Sequence, residues 1–162
     1  MEARDRPVAL VLSRQALPTL DRAKFAPADG LRRGAYVLAD PPNGRPQLIL
    51  LATGSEVALA LEAMRKLAEQ GIFARVVSMP SWELFEQQPR AYREEVLPAA
   101  LRVRLAIEAA GAQGWERYTR DGGDVLAVET FGASAPGSTV LREYGFTADN
   151  VCKRIRALLS RD

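Results

Sequence analysis

The sequence predicts an α/β fold: a mostly parallel sheet with helices on both faces. Residues 48–52, LILLA, form a continuous apolar run, the pattern of a strand buried on both sides. After a polar break at Thr53, Gly54 and Ser55, apolar residues recur at helical spacing through Val57, Leu61, Met64, Leu67 and Ala68, up to Gly71. A second apolar run, residues 74–79, follows. Strand, helix and strand at this spacing make a βαβ unit, which is right-handed almost by rule and implies parallel pairing.

Residues 7–12, PVALVL, carry a buried-strand pattern and end at the polar Ser13, Arg14 and Gln15. Residues 16–34 hold Pro18, Pro27, Gly30 and Gly34 with weak periodicity, which reads as a linker or surface-hugging connection. That length separates residues 7–12 from the sheet that follows. Residues 34–39 read as a short strand. The turn cluster DPPNGRP, residues 40–46, then suggests a hairpin, with the first strand antiparallel to residues 47–52. In the βαβ unit, Ser55 has the chemistry of an N-cap, Glu56 complements the positive helix end, and Gly71 stops the helix.

Beyond residue 79, Ser81 caps a helix start with Trp82, Leu84 and Phe85 as its apolar contacts. Residues 92–97 add a further helical turn or two before Pro98. Residues 101–107 alternate, Leu101, Val103, Leu105 and Ile107 against Arg102 and Arg104, so the arginines mark a wetter face. A short turn or helix at 111–118, a last strand at 125–128, a loop at 132–137 and a short helix at 138–144 come next. A final helix, capped by Thr147, runs to about Leu159 with Val151, Ile155, Leu158 and Leu159 inward.

The chain has 162 residues, enough for one domain with a sizeable core. A net charge of +2 gives no sign of a nucleic-acid or anionic-membrane partner, and no apolar run approaches a membrane span. The charged opening, MEARDRP, is not followed by a signal-peptide pattern. One cysteine, Cys152, excludes an internal disulfide, fits a reducing compartment and reads as a buried inert thiol. Histidine is absent, which removes the commonest general base and the commonest metal ligand.

Few residues carry candidate chemistry. Gly54 and Ser55 stand where backbone amides at a helix N-terminus can hold a small anion, although the turn has neither a dinucleotide fingerprint nor a P-loop lysine, and a plain capping turn is the simpler reading. Glu108 and Glu129 each follow a strand, either as a carboxylate pair or as two solvated strand ends. Trp115, Tyr118 and Phe131 read as packing residues. Arg14 at a strand end suits bidentate phosphate binding, or a structural ion pair.

Several longer strings resemble one family. VALVLSRQALPTLDR (residues 8–22) resembles the end of the pyrimidine-binding domain of transketolases. LLATGSEVALALEA (50–63), RVVSMPSWELFEQQ (75–88), AIEAAGAQGWERY (106–118) and TFGASAPGSTVLREYGFTADNV (130–151) resemble the transketolase C-terminal domain, in the family's order. The resemblance implies residues 1–34 as the last strand of the pyrimidine-binding domain plus a linker, and residues 35–162 as the C-terminal domain. The latter would be a Rossmann-like three-layer sandwich of about five strands, one antiparallel. It implies transfer of a two-carbon ketol unit between sugar phosphates, with thiamine diphosphate and a divalent metal such as Mg2+. The family's cofactor, metal and catalytic segments lie in preceding domains and have no counterpart in this chain. The resemblance is already under way at Val8, in mid-domain. The expectation is therefore a cytoplasmic, homodimeric enzyme of which this chain is one portion, inactive without the remaining N-terminal portion. Arg14 of the SRQ motif is the residue the family's substrate-phosphate role falls on. Glu116 stands where the family usually has an aromatic or histidine. The alternatives are a stand-alone anion- or nucleotide-binding regulatory module, and a dimerisation domain.

Overall fold

A computed structural model describes residues 7–161. Residues 1–6, which open the segment assigned above to a preceding domain, lie outside the described residues. Five strands form one sheet: β1 (Tyr36–Ala39), β2 (Leu48–Ala52), β3 (Ala74–Ser78), β4 (Arg104–Ile107) and β5 (Asp124–Leu126), in spatial order β1-β3-β2-β4-β5. β2 pairs in parallel with β3 on one side and with β4 on the other, and β4 pairs in parallel with β5. β1 is the antiparallel strand.

The sheet forms around β2 because none of its five residues can tolerate water. Every one is fully buried. Leu48, Leu50 and Ala52 point to one face, where they meet α1 (Glu56–Ala68) and α6 (Ala148–Leu159). Ile49 and Leu51 point to the other, among Phe85 of α2 (Trp82–Glu86), Val96 of α3 (Arg90–Val96) and Tyr118 of α4 (Glu116–Thr119). The second face is rich in aromatic edges: Trp82 and Trp115 meet at right angles with centroids 5.2 Å apart. Two caps hold as expected. Ser81 Oγ accepts from the Leu84 amide at 3.3 Å, and Thr147 Oγ1 accepts from the Asn150 amide at 3.3 Å. The remaining helix, α5 (Gly137–Glu143), buries no residue fully.

Four expectations change. The antiparallel strand has the expected direction but another partner. β1 pairs with β3, Tyr36 opposite Ser78, because both sides of β2 are taken by parallel neighbours. Its register shifts between Val37 and Ala39, a bulge on an edge strand. Residues 7–12 form no strand. They are exposed and irregular, because none of the five strands offers them a ladder. Phe131 is not a packing residue: it is 97% exposed, whereas Trp115 and Tyr118 are buried as expected.

The fourth change concerns Arg104. The alternation suggested a wet face, yet the residue is 1% exposed. Its guanidinium donates to the carbonyls of Leu101 (2.9 Å), Tyr118 (2.9 Å), Leu97 (3.2 Å) and Pro98 (2.8 Å). Those carbonyls belong to the C-terminal end of α3, the turn after it, and α4, so one cation satisfies helix-end and turn carbonyls that would otherwise be orphaned beneath the sheet. Burial, with Arg120 nearby, lowers its pKa to about 10, which leaves it charged at neutral pH. Arg104→Ala is expected to cost ~3–5 kcal/mol, since buried acceptors lose their donors together. Arg104→Lys should recover only part of this, because an ammonium cannot span the carbonyl set. Urea denaturation of the two variants checks both values.

Candidate functional site

In a sheet of this order the chain runs from β2 to β3 on one side and then crosses to β4 on the other. The crevice between the C-terminal ends of β2 and β4 is therefore a topological switch point, the usual place for a ligand in an open α/β sheet. It is lined from β2 by Thr53, Gly54, Ser55 and Glu56, and from β4 by Glu108.

Gly54 makes this turn possible. Its φ of +54° is a left-handed conformation, and open space lies where a Cβ would point. Ser55 occupies the N-cap position of α1 but does not cap. Its backbone is already helical, φ −67° and ψ −30°, rather than extended as capping requires, and its hydroxyl instead donates to the Glu56 carboxylate at 2.5 Å. The Glu56 amide donates to the Thr53 carbonyl at 3.2 Å. Glu56 is buried, so a carboxylate is folded back into the positive end of the helix.

Glu108 leaves β4 beside this group, its amide held by the Leu126 carbonyl at 2.9 Å. Burial first, and the Glu56 charge second, push its carboxyl above the usual carboxylate range. The Trp115 indole, donating at 3.3 Å, pulls the other way. The carboxylate that shares its field is thus Glu56, not Glu129, which is exposed in the loop after β5. Fifty-two positions separate the two in sequence. The signal that could have found Glu56 is its place among the first polar residues after a strand that neighbours β4. The crevice can hold a proton or accept donors, and a second anion beside the Gly54–Ser55 amides would meet the Glu56 charge.

Arg14 lies elsewhere. It is exposed at a bend in the irregular segment that precedes β1. That segment arches over the C-terminal ends of β2 and β3 and encloses a groove of about 1370 Å³, lined by Val8, Leu10, Leu12 and Ser13 on one side and by Thr53–Val57 and Ser81 on the other. Gly54 and Ser55 line this groove, and Arg14 does not. Glu116 turns back locally, accepting from the Gly114 amide at 2.8 Å. Among the described residues, no three His, Cys, Asp or Glu side chains converge to hold a metal ion, and no helix is long and apolar enough to cross a membrane.

Residues 34–147 match the family model described as the transketolase-like TK C-terminal domain. The chain belongs to that family. The transketolase of Geobacillus stearothermophilus is 53% identical over 161 residues, which is 99% of this chain and 24% of that protein. A solved transketolase from Leishmania mexicana, 40% identical, superposes on 82% of this chain and 19% of its own with a TM-score of 0.74. A structure of the Pichia stipitis enzyme in complex with sedoheptulose 7-phosphate, 31% identical, covers 91% of this chain and 20% of its own with a TM-score of 0.81. The chain, with the mixed five-stranded sheet described above, superposes on transketolases and spans about a quarter of the length of the curated relatives it matches.

The raised Glu108 pKa has a consequence for stability. A carboxyl whose folded pKa lies above its unfolded value contributes most below the unfolded pKa, and that contribution is lost as pH rises through the folded value. Above that window the partly buried charge of Glu108 counts against the fold. Glu108→Gln should therefore stabilise the fold at pH 8 by a margin under ~1 kcal/mol, small because the group is half-exposed and screened. The gain should vanish at pH 3. Thermal melts of the two proteins at both pH values check this.

Proposed function

We propose that this chain is the C-terminal part of a transketolase, an enzyme that moves a two-carbon ketol unit from a ketose phosphate to an aldose phosphate. The observation that carries this reading is the 53% identity running through 99% of the chain against 24% of a transketolase. The Pichia stipitis relative bound to sedoheptulose 7-phosphate supports a sugar phosphate as the substrate class.

On this reading the chemistry is divided. The described residues here supply no donor set for a divalent metal, and no histidine stands anywhere in the sequence for proton transfer. Their chemistry does not fit a seat for thiamine diphosphate and Mg2+, which belong to the remainder of the enzyme. When bound there, thiamine diphosphate supplies the carbanion that carries the ketol group. This chain contributes a rigid α/β domain and one guanidinium. Arg14, exposed at the bend of residues 14–15, is the group that meets the substrate phosphate, where a planar fork of donors matches the phosphate oxygens. The enzyme is a cytoplasmic homodimer, and the lone buried Cys152 suits a reducing compartment.

The test is ketol transfer from xylulose 5-phosphate to ribose 5-phosphate with thiamine diphosphate and Mg2+. The chain is assayed alone and with the Geobacillus stearothermophilus transketolase truncated before the segment that this chain matches. Activity is expected in the mixture and not in the chain alone. Absence of activity in a mixture whose two chains associate would overturn the assignment. In the active mixture, Arg14→Ala is expected to raise KM about tenfold or more for phosphorylated acceptors and to leave unphosphorylated ones within about twofold, the pattern of a lost charge-assisted phosphate contact. Equal effects on both acceptor types would remove Arg14 from the phosphate role.

A further inference from the structure

Exposed apolar surface is not spread over this molecule. The outer surfaces of α1 and α6 present charged side chains such as Glu62, Lys66, Lys153 and Arg156. Among the described residues, six of the large apolar side chains that stand in water, Val8, Leu10, Val11 and Leu12 among them, line the groove at the C-terminal edge of the sheet. The other is Phe131, 97% exposed, in the loop that leaves the C-terminal end of β5. β5 runs parallel to β4 and β2, so this loop rises from the same edge.

The loop is held in place. At its stem the Val128 amide donates to the Ala110 carbonyl at 2.9 Å, and at its tip the Tyr144 hydroxyl donates to the Phe131 carbonyl at 2.6 Å. Residues 129–138 are nonetheless all exposed. A backbone tied down at the position that carries an exposed aromatic ring lowers the ordering cost of binding there, because part of the loop is already held when a partner arrives. About three quarters of the length of the matched relatives has no counterpart in this chain, so a large protein surface is available to cover this edge.

We infer that the C-terminal edge of the sheet docks on the remainder of a transketolase, with Phe131 as an anchor buried at that contact. The inference rests on the proposed function and adds the surface and the residue that carry the association. The occupant is an apolar protein surface of that remainder, since a single exposed aromatic amid Gly, Ala, Ser and Pro residues suits a pocket rather than a charged ligand.

The test places a thiol at the anchor. Cys152 is 2% exposed and gives little background, so Phe131→Cys is read by maleimide labelling of the full chain. Alone, it is expected to react as a free exposed thiol. With saturating truncated Geobacillus stearothermophilus transketolase, labelling should slow about tenfold or more, and Lys153→Cys on the outward side of α6 should label equally with and without it. In parallel, Phe131→Ser should weaken co-sedimentation of the two chains about tenfold or more, with its thermal melt unchanged. Unaltered labelling at position 131 in a pair that co-sediments overturns the inference and leaves the transketolase reading standing. Failure of the wild-type chain to co-sediment overturns both. Protection that rises with the concentration of this chain alone assigns the face to a second copy and overturns the inference as well.

Discussion

Removing both faces of β2 from water is the constraint on which the remaining elements depend. Five consecutive residues, Leu48–Ala52, have no wet side, so the strand needs a layer of helices above and below and a strand at each flank. Parallel neighbours require crossovers, and each crossover supplies covering structure: α1 between β2 and β3, then α2 and α3 between β3 and β4. Right-handed crossovers to opposite flanks put the covering helices on opposite faces. The same geometry separates the first two loops at the C-terminal edge and opens the crevice where Glu56 and Glu108 meet. Fold and candidate site are thus two outcomes of one buried pentapeptide.

Two buried charged groups show how differently the molecule treats a cation and an anion. Arg104 donates to four backbone carbonyls, so its burial is offset by dipoles at the end of α3, in the turn after it and in α4. That arrangement knits α3 and α4 to the end of β4 and is structural in effect. Glu56 is met by the Ser55 hydroxyl and the end of α1, and then has a second carboxylate placed beside it. Repulsion of that kind has no evident structural return, which is why the crevice rather than the arginine cradle stands as the candidate site.

The elements whose apolar pattern is local were legible in the sequence. β2, α1 and β3 follow from runs and periodicity alone, and Ser81 and Thr147 cap as their chemistry suggests. Features set by partners distant in the chain were not. The Asn-Gly turn at residues 43–44 reads as a hairpin, but competition for the flanks of β2 sends β1 to β3. Arg104 reads as wet because alternation assumes one solvated face, and here α4 covers the second. Ser55 has a capping side chain but a helical backbone, and composition cannot reveal ψ. The family resemblance supplied what periodicity could not: the order and identity of the domain as a whole.

The bulge in β1 and the brevity of β5 bear on how copies of this domain behave in a crowded cell. One rim of the sheet is kinked between Val37 and Ala39, and the other is a strand of three residues. Neither offers a long flat row of unpaired amides and carbonyls, so lateral strand addition between molecules, the first step toward fibrous aggregation, is discouraged at both rims. A domain guarded in this way can be synthesised last on a long polypeptide, or apart from it, without its sheet seeking the wrong continuation.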